Sequence, residues 1–167
     1  MPTKFEPTPQ QRLFESKSRE VVDLVTQARS DDVGTADEAR EKLWEQNQII
    51  TITGPPGPGK TCFTHMLIDY VLAQGGKVLF ASPTAQLASR MRAKYGQAIC
   101  ADTCAAALAF DDNTAFPFLA MYSLVVTDEV SQLQGNLFQR IHQLWQQANN
   151  SVVCRRSWRQ MADRRLR

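Results

Sequence analysis

Gly54, Gly59, Lys60 and Thr61 stand at the spacing G-x-x-x-x-G-K-[ST], which suits a backbone that cradles a polyphosphate. The glycines allow a tight turn that aims several N–H groups at one anion, and the positive end of a following helix adds to that field. Lys60 is a point charge able to reach the β- and γ-phosphates, and the Thr61 hydroxyl is a ligand for Mg²⁺. Pro58, inside the loop, has no N–H to contribute. Farther along, an apolar run ends in the adjacent carboxylates Asp128 and Glu129. Asp128 can hold Mg²⁺ through its water shell, and Glu129 can polarise an attacking water as general base. The loop alone implies nucleotide binding; the two carboxylates add hydrolysis, with ATP and Mg²⁺ as the bound groups.

These residues need elements to position them. Residues 48–53 read as a short buried strand before the loop, and Phe63, Leu67, Tyr70 and Val71 recur at helical spacing after it. Gly75-Gly76 caps that helix, and residues 77–81 form a second buried strand. A turn and helix from 82 to about 96 follow, then a short strand over 98–103 and an apolar 104–110. Residues 111–117 read as a loop, 121–127 as the third clear strand, 135–150 as an amphipathic helix, and 151–154 as a further strand. Upstream, Thr8, Pro9 and Gln11 open a helix running to about Ala28, with Phe14, Val21, Leu24, Val25 and Ala28 on a stripe able to pack on a sheet. Residues 30–34 break it, and Thr35 with Glu38 opens a second, charged helix to about Gln46. The expected fold is α/β, a phosphate-loop fold with a mainly parallel sheet and helices on both faces. Right-handed crossovers then bring the phosphate loop and Asp128-Glu129 to one sheet edge. Three regions follow: a helical segment over 1–47, an ATPase domain over 48–154, and a basic, disordered tail over 155–167.

Composition sets wide bounds. The 167 residues are 43% hydrophobic and 22% charged, ordinary for one globular unit. No apolar run approaches the roughly 20 residues that span a bilayer, and the first residues lack a secretory core, so an intracellular setting is expected. That setting means nucleus or mitochondrion in a eukaryote and cytoplasm in a bacterium. Cys62, Cys100, Cys104 and Cys154 match neither a zinc site nor a disulfide framework and are expected to be reduced and mostly buried. His65 and His142 carry no site. The net charge of +2 is lopsided, because residues 155–167 hold six arginines and one aspartate.

Taken together the motifs resemble superfamily 1 helicases, especially the RecD-like group with the Pif and Helitron helicases. Residues 54–61 look like helicase motif I, Ser82-Pro83-Thr84-Ala85-Gln86-Leu87-Ala88 like motif Ia, and Asp128-Glu129-Val130-Ser131-Gln132 like motif II. Residues 101–106 are similar to the next segment, with Ala105 where the family usually has His. The resemblance covers roughly 49–135, one RecA-like motor domain. It implies a nucleotide held by Gly54, Pro55, Gly57, Gly59, Lys60, Thr61 and Cys62, with Gln10 or Gln11 reading adenine. It also implies that Ser82, Thr84 and Thr103 contact single-stranded DNA or RNA. Where the family has a γ-phosphate-sensing G-D-x-x-Q, this chain has Arg156-Ser157-Trp158-Arg159-Gln160, with only the glutamine matching. The second motor domain and its arginine finger are absent from the chain, which reads as a truncated or frame-disrupted helicase. A different P-loop ATPase of AAA type, or a non-catalytic nucleotide-binding remnant, are the competing readings. Gly54-Pro55-Pro56-Gly57 suits helicase and AAA enzyme alike, whereas motifs Ia and II favour the helicase.

Overall fold

The computed structural model describes residues 6–29, 31–45, 49–52, 59–108, 121–133, 135, 139–140, 143 and 151–155. The expectations for Gly54, Pro55, Gly57 and Pro58, for the loop at 111–117, for His142 and for the tail beyond 155 lie outside the described residues. The helix expected over 135–150 is described only at 135, 139, 140 and 143, all helical.

The elements alternate along the chain: α1 (Pro9–Gln27), α2 (Val33–Glu45), β1 (Ile49–Ile52), α3 (Gly59–Ala73), β2 (Val78–Ser82), α4 (Ala85–Tyr95), β3 (Ile99–Thr103), α5 (Cys104–Leu108), β4 (Leu124–Thr127) and β5 (Ser151–Arg155). All five strands are parallel, in the order β1-β5-β4-β2-β3. Inner strands of a parallel sheet are covered on both faces and read as continuous apolar runs. Accordingly β2 and β4 are buried at every position, while edge strand β3 alternates between buried Ile99 and Ala101 and exposed Cys100. Ile52, Phe63, Leu67, Ile68 and Val71 form one apolar cluster with Val78, Phe80, Ile99, Leu124 and Val126, which fastens α3 to the sheet.

Helix ends follow local chemistry. Thr8 caps α1 in a complete capping box: the Gln11 N–H donates to Thr8 Oγ1 (3.3 Å) and the Thr8 N–H to Gln11 Oε1 (2.7 Å). α3 ends at Gly75, whose φ of 74° favours glycine. At Gly76 a Cβ would lie 2.7 Å from Val71 Cγ1 and 2.9 Å from Ser123 Oγ, so the return into β2 requires glycine there.

The structure corrects three boundaries and one packing expectation. α2 starts at Val33, not Thr35, because the Asp32 carbonyl already accepts the Ala36 N–H (2.9 Å) and the Asp32 carboxylate takes the Thr35 hydroxyl (2.6 Å). The third strand narrows to Leu124–Thr127, and Ala98 closes a short 3₁₀ turn over Gly96–Ala98. α1 packs chiefly on helices: Phe14 meets Phe63 edge-on with ring centroids 4.7 Å apart, and Leu24, Val25 and Ala28 bury against Ala39 of α2.

Candidate functional site

Parallel strands place all their C-terminal ends at one edge. Thr51 and Thr127 are both register partners of Cys154, on opposite sides of it. At about 4.8 Å per strand step, the ends of β1 and β4 lie about 10 Å apart. The chain leaving β1 re-enters as α3 at Gly59-Lys60-Thr61, and the chain leaving β4 continues directly into Asp128-Glu129. The two sequence motifs therefore share one edge, separated by a single strand. Lys60 and Cys62 are half-buried and Thr61 is exposed in the first turn of α3.

Gln11 reaches the same place from the far side of the sequence. A Cβ built on Gly59 would stand 2.9 Å from Gln11 Nε2, so the Gln11 amide lies against the start of α3. Gln10 is exposed. The Phe14–Phe63 contact, one turn along each helix, fixes this approach. With Oε1 accepting the Thr8 N–H, Gln11 keeps its amide nitrogen as a donor.

Asp128 is 3% exposed. Its N–H donates to the Ala81 carbonyl (2.9 Å), extending the β2–β4 ladder one residue, and its Oδ1 accepts the Glu129 N–H (2.9 Å). Glu129 turns sharply into a left-handed conformation (φ 47°, ψ 46°) that a non-glycine residue adopts at a cost of about 1–2 kcal/mol. Its carbonyl then accepts the Gln132 N–H (2.8 Å) in a 3₁₀ turn over Val130–Gln132. A carboxylate buried at a strand end, beside the first turn of a helix that carries a lysine and a threonine, suits a hydrated divalent cation. Thr61, exposed in the opening turn of α3, is the matching hydroxyl, so the donor set fits Mg²⁺ bound to a triphosphate.

Ser82, Thr84 and Thr103 fall at the neighbouring strand ends, where Ser82 and Thr103 are register partners. Each hydroxyl orders a turn. Ser82 Oγ, fully buried, accepts the Thr84 N–H (3.3 Å); Thr84 caps α4 by accepting the Leu87 N–H (3.5 Å); Thr103 Oγ1 accepts the Ala106 N–H (3.2 Å). Thr84 is exposed and Thr103 half-buried. Among the described residues no group of three or more His, Cys, Asp or Glu side chains is arranged to hold a metal ion. His65 packs instead, its Nδ1 2.9 Å from the Tyr95 hydroxyl. Against the expectation of mostly buried thiols, Cys104 is buried, Cys62 half-buried and Cys100 exposed.

Sequence reasoning missed two features beside the carboxylates. One is the left-handed Glu129. The other is a pair of buried hydroxyl oxygens, Thr127 Oγ1 and Ser131 Oγ, with no hydrogen-bond partner among the described residues, a state that costs about 1–3 kcal/mol per group. Thr127 did carry a signal, as the one polar residue in the run Leu124-Val125-Val126-Thr127.

A family profile described as AAA domain matches residues 37–154. The ATP-dependent DNA helicase dda of Enterobacteria phage T4 is 29% identical over a match covering 56% of this chain and 24% of that protein. This chain thus spans about a quarter of the length of the curated relative it matches. A solved structure of two coordinating Pif1 helicases at forked double-stranded DNA aligns with a TM-score of 0.47 at 17% identity, covering 72% of this chain and 32% of that one.

Proposed function

The chain belongs to the AAA domain family, and from that premise we propose that it is the ATP-binding and hydrolysing motor unit of an ATP-dependent DNA helicase. The observation that carries this reading is the convergence of Gly59-Lys60-Thr61 and Asp128-Glu129 on one sheet edge with one strand between them. In this reading Gly54, Pro55, Gly57 and Gly59 wrap the phosphates. Lys60 neutralises the β- and γ-phosphates, and Cys62 lines the site. Gln11, already seated against Gly59, offers its amide nitrogen to adenine. Thr61 and Asp128 hold Mg²⁺, which when bound neutralises phosphate charge. Glu129 takes the proton of the attacking water. The motor unit comprises residues 48–154, with the helical segment 1–47 contributing Gln11, and the setting is intracellular.

Single-stranded nucleic acid is the proposed partner at the adjacent strand ends. Thr84 and Thr103 would meet the backbone phosphates directly, while the buried Ser82 acts by ordering Thr84. The match to a phage DNA helicase supports this partner over an unrelated substrate. A non-helicase AAA enzyme is the second reading, favoured by the breadth of the family that matches.

ATP turnover measured with and without single-stranded DNA tests the proposal. Stimulation of several-fold is expected. Turnover indifferent to DNA would favour the second reading, and ATP binding without turnover would mark a non-catalytic unit.

A further inference from the structure

Three observations meet in residues 127–131, and the inference drawn from them rests on reading Asp128 and Glu129 as carboxylates of an ATP-hydrolysing site. Glu129 is the one non-glycine residue with positive φ among the described residues. Its backbone is pinned on both sides, by Asp128 Oδ1 at its N–H and by the Gln132 N–H at its carbonyl. Two positions before it and two after it, Thr127 Oγ1 and Ser131 Oγ are buried without a partner among the described residues. Thr127 has no exposed surface.

The fold does not call for these hydroxyls. Valine has nearly the shape of threonine, suits a buried strand at least as well, and would remove the burden of an unsatisfied buried oxygen. Alanine would do the same at 131. Most buried polar groups in native proteins are hydrogen-bonded, and an exception commonly marks a catalytic role or a bound water or ion, which points to a state that brings polar atoms to this turn. A hydroxyl both donates and accepts, which suits water. A bound water requires two to four polar partners, and two hydroxyls flanking a carboxylate can supply them.

We propose that Thr127 and Ser131 are positioning residues for the hydrolytic step. Their hydroxyls hydrogen-bond to the waters that accompany Mg²⁺-triphosphate at this edge, and through those waters hold the Glu129 turn in register with the γ-phosphate. The free fold carries the unsatisfied oxygens; the nucleotide-loaded fold satisfies them.

The proposal gives stability and turnover opposite signs. In the 167-residue chain, Thr127→Val should raise the melting temperature without nucleotide by about 2–4 °C. It should also slow single-turnover ATP hydrolysis about tenfold and leave the melting shift produced by ATP in EDTA unchanged. Ser131→Ala should behave alike, and Thr127→Ser should restore the wild-type rate. A higher melting temperature with a wild-type rate would overturn the proposal, since the hydroxyl would then serve nothing. A lower nucleotide-free melting temperature would also overturn it, showing that the hydroxyl serves the fold. If the wild-type chain shows no Mg²⁺-dependent response to ATP, the reading of the site itself fails, an outcome visible before any variant is compared.

Discussion

Tyr122 shows how a side chain with no role in the chemistry can still report on the fold. It is buried just before β4, its carbonyl accepts from the Arg29 guanidinium at the end of α1, and its hydroxyl is pushed up to about 12 by burial, reinforced by Cys100 beside it. The folded chain therefore keeps this proton between about pH 10 and 12, where an unfolded tyrosine has lost it. The stability it contributes is complete below pH 10 and is lost as pH rises through 12. Tyr95, raised by burial and by Asp69, adds to the same slope. Melting temperatures are expected to fall between pH 10 and 12, and Tyr122→Phe should flatten part of that decline. At this scale the candidates were legible: Lys60, Thr61, Asp128 and Glu129 are singled out by type and spacing alone, and the fold brings their two segments to one sheet edge. The left-handed Glu129 was not, because no residue type there signals it and the turn is imposed by Asp128, Ala81 and Gln132 together.

α1 is the element whose beginning was readable and whose partner was not. Its start is local chemistry, Thr8 and Gln11 satisfying each other's backbone N–H groups. Its packing depends on Phe63, far along the chain, which Phe14 meets edge-on. That contact also sets Gln11 against Gly59. Phe14→Ala should destabilise the chain by about 2 kcal/mol, allowing for partial burial of the ring, as read by urea unfolding. It should also weaken ATP binding, because the amide of Gln11 loses its fixed approach; an unchanged ATP affinity would separate α1 from the site. The shift of the α2 start to Val33 is local, since the Asp32 carbonyl accepts the Ala36 N–H and its carboxylate holds the Thr35 hydroxyl within the first turn.

At the scale of the molecule, strand order decides function. β5 lies between β1 and β4, so Cys154 and Arg155 occupy register positions between the C-terminal ends of those two strands. The purified 167-residue chain is expected to bind ATP and to hydrolyse it slowly. An arginine acting on the γ-phosphate from outside a domain of this kind is worth about 10³–10⁵ in rate in related phosphoryl-transfer systems. A turnover assay on the purified chain tests this, and rapid hydrolysis would refute it.

The sequence by itself determined which residues can do chemistry, the alternation of strands and helices, and the parallel α/β class, because spacing, hydrophobic period and capping residues are local properties. Only the tertiary structure decided what stands beside what. It seated Gln11 rather than Gln10 against Gly59, placed β5 between β1 and β4, and buried the hydroxyls of Thr127 and Ser131 without partners among the described residues. These depend on pairing and burial between segments far apart in the chain, where contact rather than local propensity sets the energy.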